Sequence, residues 1–184
     1  MKKIILESIE VKKKLLDNPY LDIIERIGKT TVDALKNGKK ILIAGNGGSA
    51  ADAQHFAAEL AGRFVKERKG LPSIALTTNT SNITAIGNDY GYDVVFSRQL
   101  EALGQAGDIF FGISTSGNSK NIIEAMKTAK KNNITTIALL GNDGGTIKNI
   151  SDISLIIPSH NTARIQECHI MVIHIICKMI DDAF

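Results

Sequence analysis

The stretch Lys40-Ile-Leu-Ile-Ala-Gly-Asn-Gly-Gly-Ser-Ala-Ala-Asp-Ala-Gln-His-Phe-Ala-Ala-Glu-Leu-Ala-Gly-Arg63 constrains this chain more than any other. Ile41 to Ala44 is an apolar run, short and branched enough to be a buried strand. Gly45, Gly47 and Gly48 punctuate it, and Ser49 sits where a helix N-cap would sit. From Ala50 to Leu60 the residues are good helix formers. Phe56 and Leu60 share one side, while His55 and Glu59, four apart, share a neighbouring one. Strand, glycine turn and helix together set backbone N–H groups and a helix N-terminus beside an imidazole and a carboxylate. That layout suits an anionic small molecule. An ordinary βα turn with a solvated His and Glu reads the same way, and this stretch leaves both open.

Composition narrows the classes. A chain of 184 residues holds one α/β domain with a proper core and some extra elements. The formal charge of +3 is spread out, and no aromatic residues interleave a basic patch. The one tight basic run near the start, Lys12-Lys13-Lys14, reads as the wet face of a helix, so nucleic acid is not an expected partner. Cys168 and Cys177 lie in an apolar segment without a CxxC, which reads as buried free thiols in a reducing compartment. No apolar run reaches the length of a bilayer span, and Glu7 and Glu10 follow Met1-Lys-Lys-Ile-Ile-Leu too soon for a signal peptide. The expected location is the cytoplasm, away from membranes.

Taken in order, Met1 to Leu16 and Tyr20 to about Asn37 show helical apolar spacing, separated by Asp17-Asn-Pro19 and stopped by Gly38. Two helices ahead of the first strand exceed what the sheet needs for cover. Packing between subunits and packing on their own domain both remain open. Further strands are expected at Ser73–Leu76, Asp108–Ile113, Thr135–Leu140 and Ser154–Ile157. Helices are expected at Asp93–Leu103, Lys120–Asn132 and Thr162–Asp182. The glycine-flanked Asn88-Asp89 reads as a turn. This alternation predicts a doubly wound α/β fold: a five-stranded parallel sheet, helices on both faces, and two extra N-terminal helices. One domain spans 1–184, with 38–184 forming the α/β sandwich.

Two further segments carry chemistry. Ser114-Thr115-Ser116-Gly117-Asn118-Ser119 joins a buried strand to a helix start and offers hydroxyl and backbone donors together, which favours phosphate. It is not a Walker motif, and the first turn is not a dinucleotide fingerprint. In the last helix Gln166 and His174 lie eight residues apart, about 80° around the axis and about 12 Å along it. His169 and His174 sit among apolar neighbours, where a histidine is more often a core residue than a catalyst.

Gly45-Asn-Gly-Gly-Ser49, the serine loop and the two leading helices resemble a SIS (sugar isomerase) domain, a flavodoxin-like fold. Within that group, His55-Phe-Ala-Ala-Glu59, Ile86-Gly-Asn-Asp89 and Arg164-Ile-Gln-Glu-Cys-His-Ile-Met-Val-Ile-His174 resemble the phosphoheptose isomerases. These convert sedoheptulose 7-phosphate to D-glycero-D-manno-heptose 7-phosphate through an enediol, at the start of bacterial heptose synthesis for lipopolysaccharide or capsule. The resemblance implies that Ser114, Thr115, Ser116 and Ser119 hold the phosphate. It implies that Asn46, Gly47, Gly48, Ser49, Asn88, Asp89, Glu59 and Gln166 meet the sugar. It makes Glu59 the base and His174 the proton donor. It also implies a homotetramer, with helices 1–37 serving assembly. One zinc ion per subunit would map to His55, Glu59, Gln166 and His174 and polarise the carbonyl.

A glutamate tied to zinc is a weaker base, and the axial gap keeps Gln166 and His174 from easily sharing one ion. A site built across subunits, with Gln166 or His174 arriving from a neighbour, would close that gap. Ala163 departs from the isomerase pattern, in which Asp can occupy that place. Two alternatives use the same scaffold: a tetrameric adaptor that binds the replication initiator, and a sugar-phosphate-sensing module. The adaptor group lacks matches to Glu59 and His174, and a sensor needs neither. Both residues stand here, which favours the enzyme.

Overall fold

The computed structural model describes residues 1–184. Helices α1 (Lys2–Lys14) and α2 (Tyr20–Lys36) precede β1 (Ile41–Gly45) and α3 (Gly48–Ala61). Then follow β2 (Ser73–Ala75), α4 (Thr80–Tyr90), α5 (Val95–Leu103), β3 (Ile109–Ser114) and α6 (Lys120–Lys131). The chain ends with β4 (Thr135–Leu140), β5 (Ile153–Ile156) and α7 (Thr162–Ala183). All neighbouring strands pair in parallel, in the order β2-β1-β3-β4-β5. The expected five-stranded, doubly wound sheet is therefore the fold.

Strand alternation builds two cores. Ile41, Ile43, Phe111 and Leu139 point to one face, where α2, α3 and α7 cover them. Leu42, Ala44, Phe110 and Leu140 point to the other, under α5 and α6. Successive side chains leave a strand on opposite faces, so a strand buried on both must be apolar throughout. β1 and β3 are, up to Ser114 at the end of β3, and every residue of each is buried. On the α3 face, Phe56 meets Phe111 edge to face at 5.1 Å between ring centroids. That contact, worth about 1 kcal/mol beyond its buried area, seats α3 on β3 and turns His55 and Glu59 away from the core.

The chain goes from β1 to β2, then returns past β1 to β3. Its winding therefore reverses between β1 and β3, where a crevice opens outside the carboxyl ends of the strands. The glycine turn after β1 and the serine loop after β3 face each other across it.

Three local expectations are corrected. Asn88 and Asp89 form no turn; they lie in the last full turn of α4, which ends at Gly91 with φ +89°. A polar run without an apolar stripe concealed that helix. None of its residues is buried, and its clearest local support is the Asn79 side chain accepting from the Asn82 N–H at 3.0 Å, a cap worth about 1 kcal/mol. Ser49 is not the N-cap of α3: Gly47 is, at φ +58° and ψ −121°, and Ser49 is buried inside the first turn. A left-handed backbone at that position suits glycine alone. Strand β5 runs Ile153–Ile156, one residue earlier than expected.

The two leading helices pack on their own chain through α7. Buried Arg164 donates to the Ile4 carbonyl at 3.0 Å, and Ser8 donates to Glu167 at 2.6 Å. Yet α1 buries only Val11, and Ile4, Ile5, Ile9 and Leu16 stay exposed.

Candidate active site

The glycine turn is held tightly from behind. A Cβ on Gly45 would come within 2.4 Å of the Ser49 carbonyl oxygen, so the chain turns this sharply only with glycine there. The Asn46 side chain, expected to meet a sugar, is engaged in a brace. Its Nδ2 donates to Asn121 Oδ1, and Asn121 Nδ2 donates back to Asn46 Oδ1, both at 2.9 Å. The Tyr92 hydroxyl also donates to Asn46 Oδ1, at 3.2 Å. Asn121 sits in the first turn of α6, so the brace ties the glycine turn to the helix behind the serine loop.

The serine loop is equally fixed. Ser114 and Ser119 share a hydrogen bond at 2.9 Å between hydroxyls, closing the loop's mouth. Ser119 stands at the N-cap of α6 without using its hydroxyl to cap it. The orphan N–H groups of that helix end are thus left for an anion. Gly117 has φ +67°, and a Cβ there would lie 2.1 Å from the Gly144 oxygen. The β4–β5 connection clasps the loop from outside. Asn142 Nδ2 donates to the Thr115 carbonyl at 2.8 Å, and the Thr146 N–H donates to Asn118 Oδ1 at 3.0 Å. Asn142 itself adopts φ +54°, a left-handed conformation that asparagine tolerates.

Helices α3 and α7 run side by side in the same direction, and their contacts form rungs. At the first, Gln166 lies so close to the turn that a Cβ on Gly48 would be 2.6 Å from its Nε2. Two turns on, His174 Nε2 lies 3.2 Å from His55 Nε2, which lies 3.0 Å from Glu59 Oε1. The Phe64 ring sits against His174 at 5.6 Å between centroids. The fold therefore unites His55, Glu59 and His174, and leaves Gln166 about two turns away, at the glycine turn. Asn88 and Asp89 hydrogen-bond to each other at 2.8 Å on exposed α4 and make no side-chain bond to either loop.

One nitrogen of His55 thus faces two polar atoms, and no single tautomer suits both. With a proton it donates to Glu59 and cannot accept from His174. Without one it accepts from His174 but turns a lone pair on a carboxylate. Three lone-pair donors at 3.0 and 3.2 Å lie near the roughly 3.3 Å edge of a tetrahedron around zinc. The donor types suit that ion, but within this chain the three side chains do not converge into a group that could hold a metal. Asp52 shares this side of α3, one turn before His55. Its Oδ2 is buried without a partner. Burial pushes its pKa up to about 6, against the pull of His55.

His169 is not part of the site. It is fully buried and meets the Leu140 carbonyl through Nε2 at 2.9 Å, and burial lowers its pKa to about 4. The sequence reading missed Asn121, Tyr92 and Asn142. Of these only Asn142 carried a local signal, its place in Gly141-Asn-Asp-Gly-Gly145.

A parallel sheet with order 2-1-3-4-5, a glycine turn and a serine loop at its switch point, and two helices in front define a SIS domain. Residues 7–141 match the model of that family. Phosphoheptose isomerase of Sulfurimonas denitrificans is 58% identical over 182 residues, 98% of this chain and 93% of that protein. The enzyme of the same name from Clostridium acetobutylicum is 54% identical over 178 residues, 96% of this chain and 91% of that one. The solved structure of phosphoheptose isomerase from Neisseria gonorrhoeae matches with a TM-score of 0.93 at 48% identity, covering 98% of this chain and 96% of that chain. The chain belongs to the SIS domain family and, within it, to the phosphoheptose isomerases.

Proposed function

We propose that this protein interconverts sedoheptulose 7-phosphate and D-glycero-D-manno-heptose 7-phosphate. The observation that carries the reading is the meeting of Glu59 and His174, from two helices, at one imidazole beside the switch-point crevice. An aldose–ketose isomerisation moves a proton between adjacent carbons, so it needs a base, an acid and a stabilised oxyanion. The phosphate binds Ser114, Thr115, Ser116, Ser119 and the start of α6, which fixes the far end of the sugar. The glycine turn, through the backbone N–H groups of Gly47 and Gly48 and the start of α3 at Ser49, holds the chain of hydroxyls, with Gln166 beside it and Asn88 and Asp89 from α4. Glu59 takes the proton from the carbon next to the carbonyl and returns it to the neighbouring carbon. His174 gives a proton to the carbonyl oxygen, which becomes hydroxyl, and takes one back from the neighbouring hydroxyl as that oxygen becomes the new carbonyl.

Zinc, one per subunit, would be held by His55, Glu59 and His174 with Gln166, and when bound would polarise the substrate carbonyl. Because Gln166 lies about two turns from His174 along α7, one of these donors comes from a neighbouring subunit. The enzyme is then a homotetramer assembled through the exposed apolar side chains of α1, with Leu16 and Leu21 beyond it, and an isolated monomer is inactive. It acts in the cytoplasm and feeds lipopolysaccharide or capsule synthesis. No helix is long and apolar enough to cross a membrane. Retention of both Glu59 and His174 weighs against the adaptor and sensor readings.

The deciding experiment incubates purified protein with sedoheptulose 7-phosphate and follows the product by NMR, with Glu59→Gln alongside. Aldoheptose 7-phosphate formed by the parent and lost in the variant supports the isomerase and its base. No turnover, with or without added zinc, moves the reading to a binding role.

A further inference from the structure

The last rung of the α3–α7 seam is a buried ion pair. Arg68 Nε donates to Asp181 Oδ1 at 2.9 Å, and the two side chains are only 3% and 1% exposed. Such pairs are weak evidence for stability, because apolar replacements of similar size are often neutral or better. What distinguishes this one is where its remaining hydrogen bonds go. Arg68 Nη2 donates to the Glu59 carbonyl and Nη1 to the Leu60 carbonyl, both at 2.9 Å. These belong to the last turn of α3, whose carbonyls have no intrahelical partners. Asp181 Oδ2 accepts from the Val65 and Lys66 N–H groups, both at 2.8 Å. That anchors the segment carrying Phe64, which packs on His174. Asp181 itself lies two turns beyond His174 on α7.

We propose that Arg68 and Asp181 are positioning residues that set Glu59 against His174. The pair joins the backbone of Glu59, the Phe64 segment and the end of α7 into one rigid unit. No apolar pair of equal volume could do this, since it offers neither donors for the carbonyls nor an acceptor for the two N–H groups. The proposal rests on the roles given above to Glu59 and His174. The phosphate cradle lies at the other end of the seam and does not depend on it.

The test compares the parent with Arg68→Met/Asp181→Leu, which removes both buried charges and so leaves neither unpaired, and with Arg68→Lys, which keeps the charge and the fold without the fork. With sedoheptulose 7-phosphate, kcat of the double variant is expected to fall about ten- to a hundredfold, while KM and inhibition by inorganic phosphate stay within about twofold. Arg68→Lys should recover part of the loss. Imidazole ¹H–¹⁵N spectra read the geometry without turnover: His55 and His174 signals should move, and those of exposed His160 should stay. A folded double variant with parental kcat, or with unmoved His55 and His174 signals, overturns the proposal. A parent that does not turn over the heptose refutes the isomerase reading instead, and the ring spectra alone then decide on the pair.

Discussion

The serine loop and the α3–α7 seam lie in one molecule but are built by opposite rules. The serine loop is finished within the chain: glycine at φ +67°, paired hydroxyls and a clasp from the β4–β5 connection leave it little freedom. The seam holds its polar groups in an unresolved state, with one His55 nitrogen facing both Glu59 and His174. A phosphate cradle gains by being rigid before the ligand arrives, because donors already in place lose no freedom on binding. A proton-transfer site needs groups whose partners change as the reaction proceeds, and the proposed function gives the seam that task. Under the proposed function, the difference is a division of labour along two parallel helices, with binding near their N-terminal ends and chemistry two turns further on.

The largest expected effect breaks the chemical half alone. Glu59→Gln should lower kcat by about 10³-fold with KM little changed, read by the NMR assay. A KM change of similar size would show that Glu59 binds rather than reacts.

Next comes a pH effect at His169, which ties the middle of α7 to the end of β4. Burial lowers its pKa from 6.5 to about 4, so the native protein refuses a proton that the unfolded chain accepts. This contribution is fully present above pH 6.5 and is lost as the pH falls towards 4, by up to about 3 kcal/mol. Asp52 works the other way, since its raised pKa favours the folded state as the pH falls through about 6. The His169 term is therefore read as a difference. Urea unfolding at pH 7 and pH 5 should show a smaller loss in His169→Gln than in the parent, and equal losses would refute it.

Gly117→Ala tests the rigid half. A side chain at φ +67° facing the Gly144 carbonyl strains the loop by about 2 kcal/mol. Inhibition by inorganic phosphate should weaken about thirtyfold, while the His55 and His174 ring signals stay put. The smallest effect is expected for Asn142→Ala, which removes one hydrogen bond to the Thr115 carbonyl. At about 1 kcal/mol, phosphate inhibition should weaken about fivefold with kcat unchanged. A fall in kcat in either variant would mean that the two halves are coupled.

The two halves also differed in how far they could be read from the chain. The serine loop, the glycine turn and every strand announce themselves locally, because β-branched runs, glycines and clustered hydroxyls act on their own backbone. Helix α4 did not, since it lacks the apolar stripe by which helices are recognised and none of its residues is buried. Ser49 was misplaced by two residues, because Gly47 takes the capping position in a backbone conformation that no capping serine prefers.

Sequence by itself determined the alternation of strands and helices, hence the parallel sheet, its two cores and the chemistry available at each loop. Tertiary structure alone decided which of those groups meet. Asn46 with Asn121, Arg68 with Asp181 and His55 with His174 pair across 75, 113 and 119 residues of chain. Local periodicity shows which side of a helix is apolar. Which helix lies beside it, and at what register, follows only from packing α3 and α7 together on one face of the sheet.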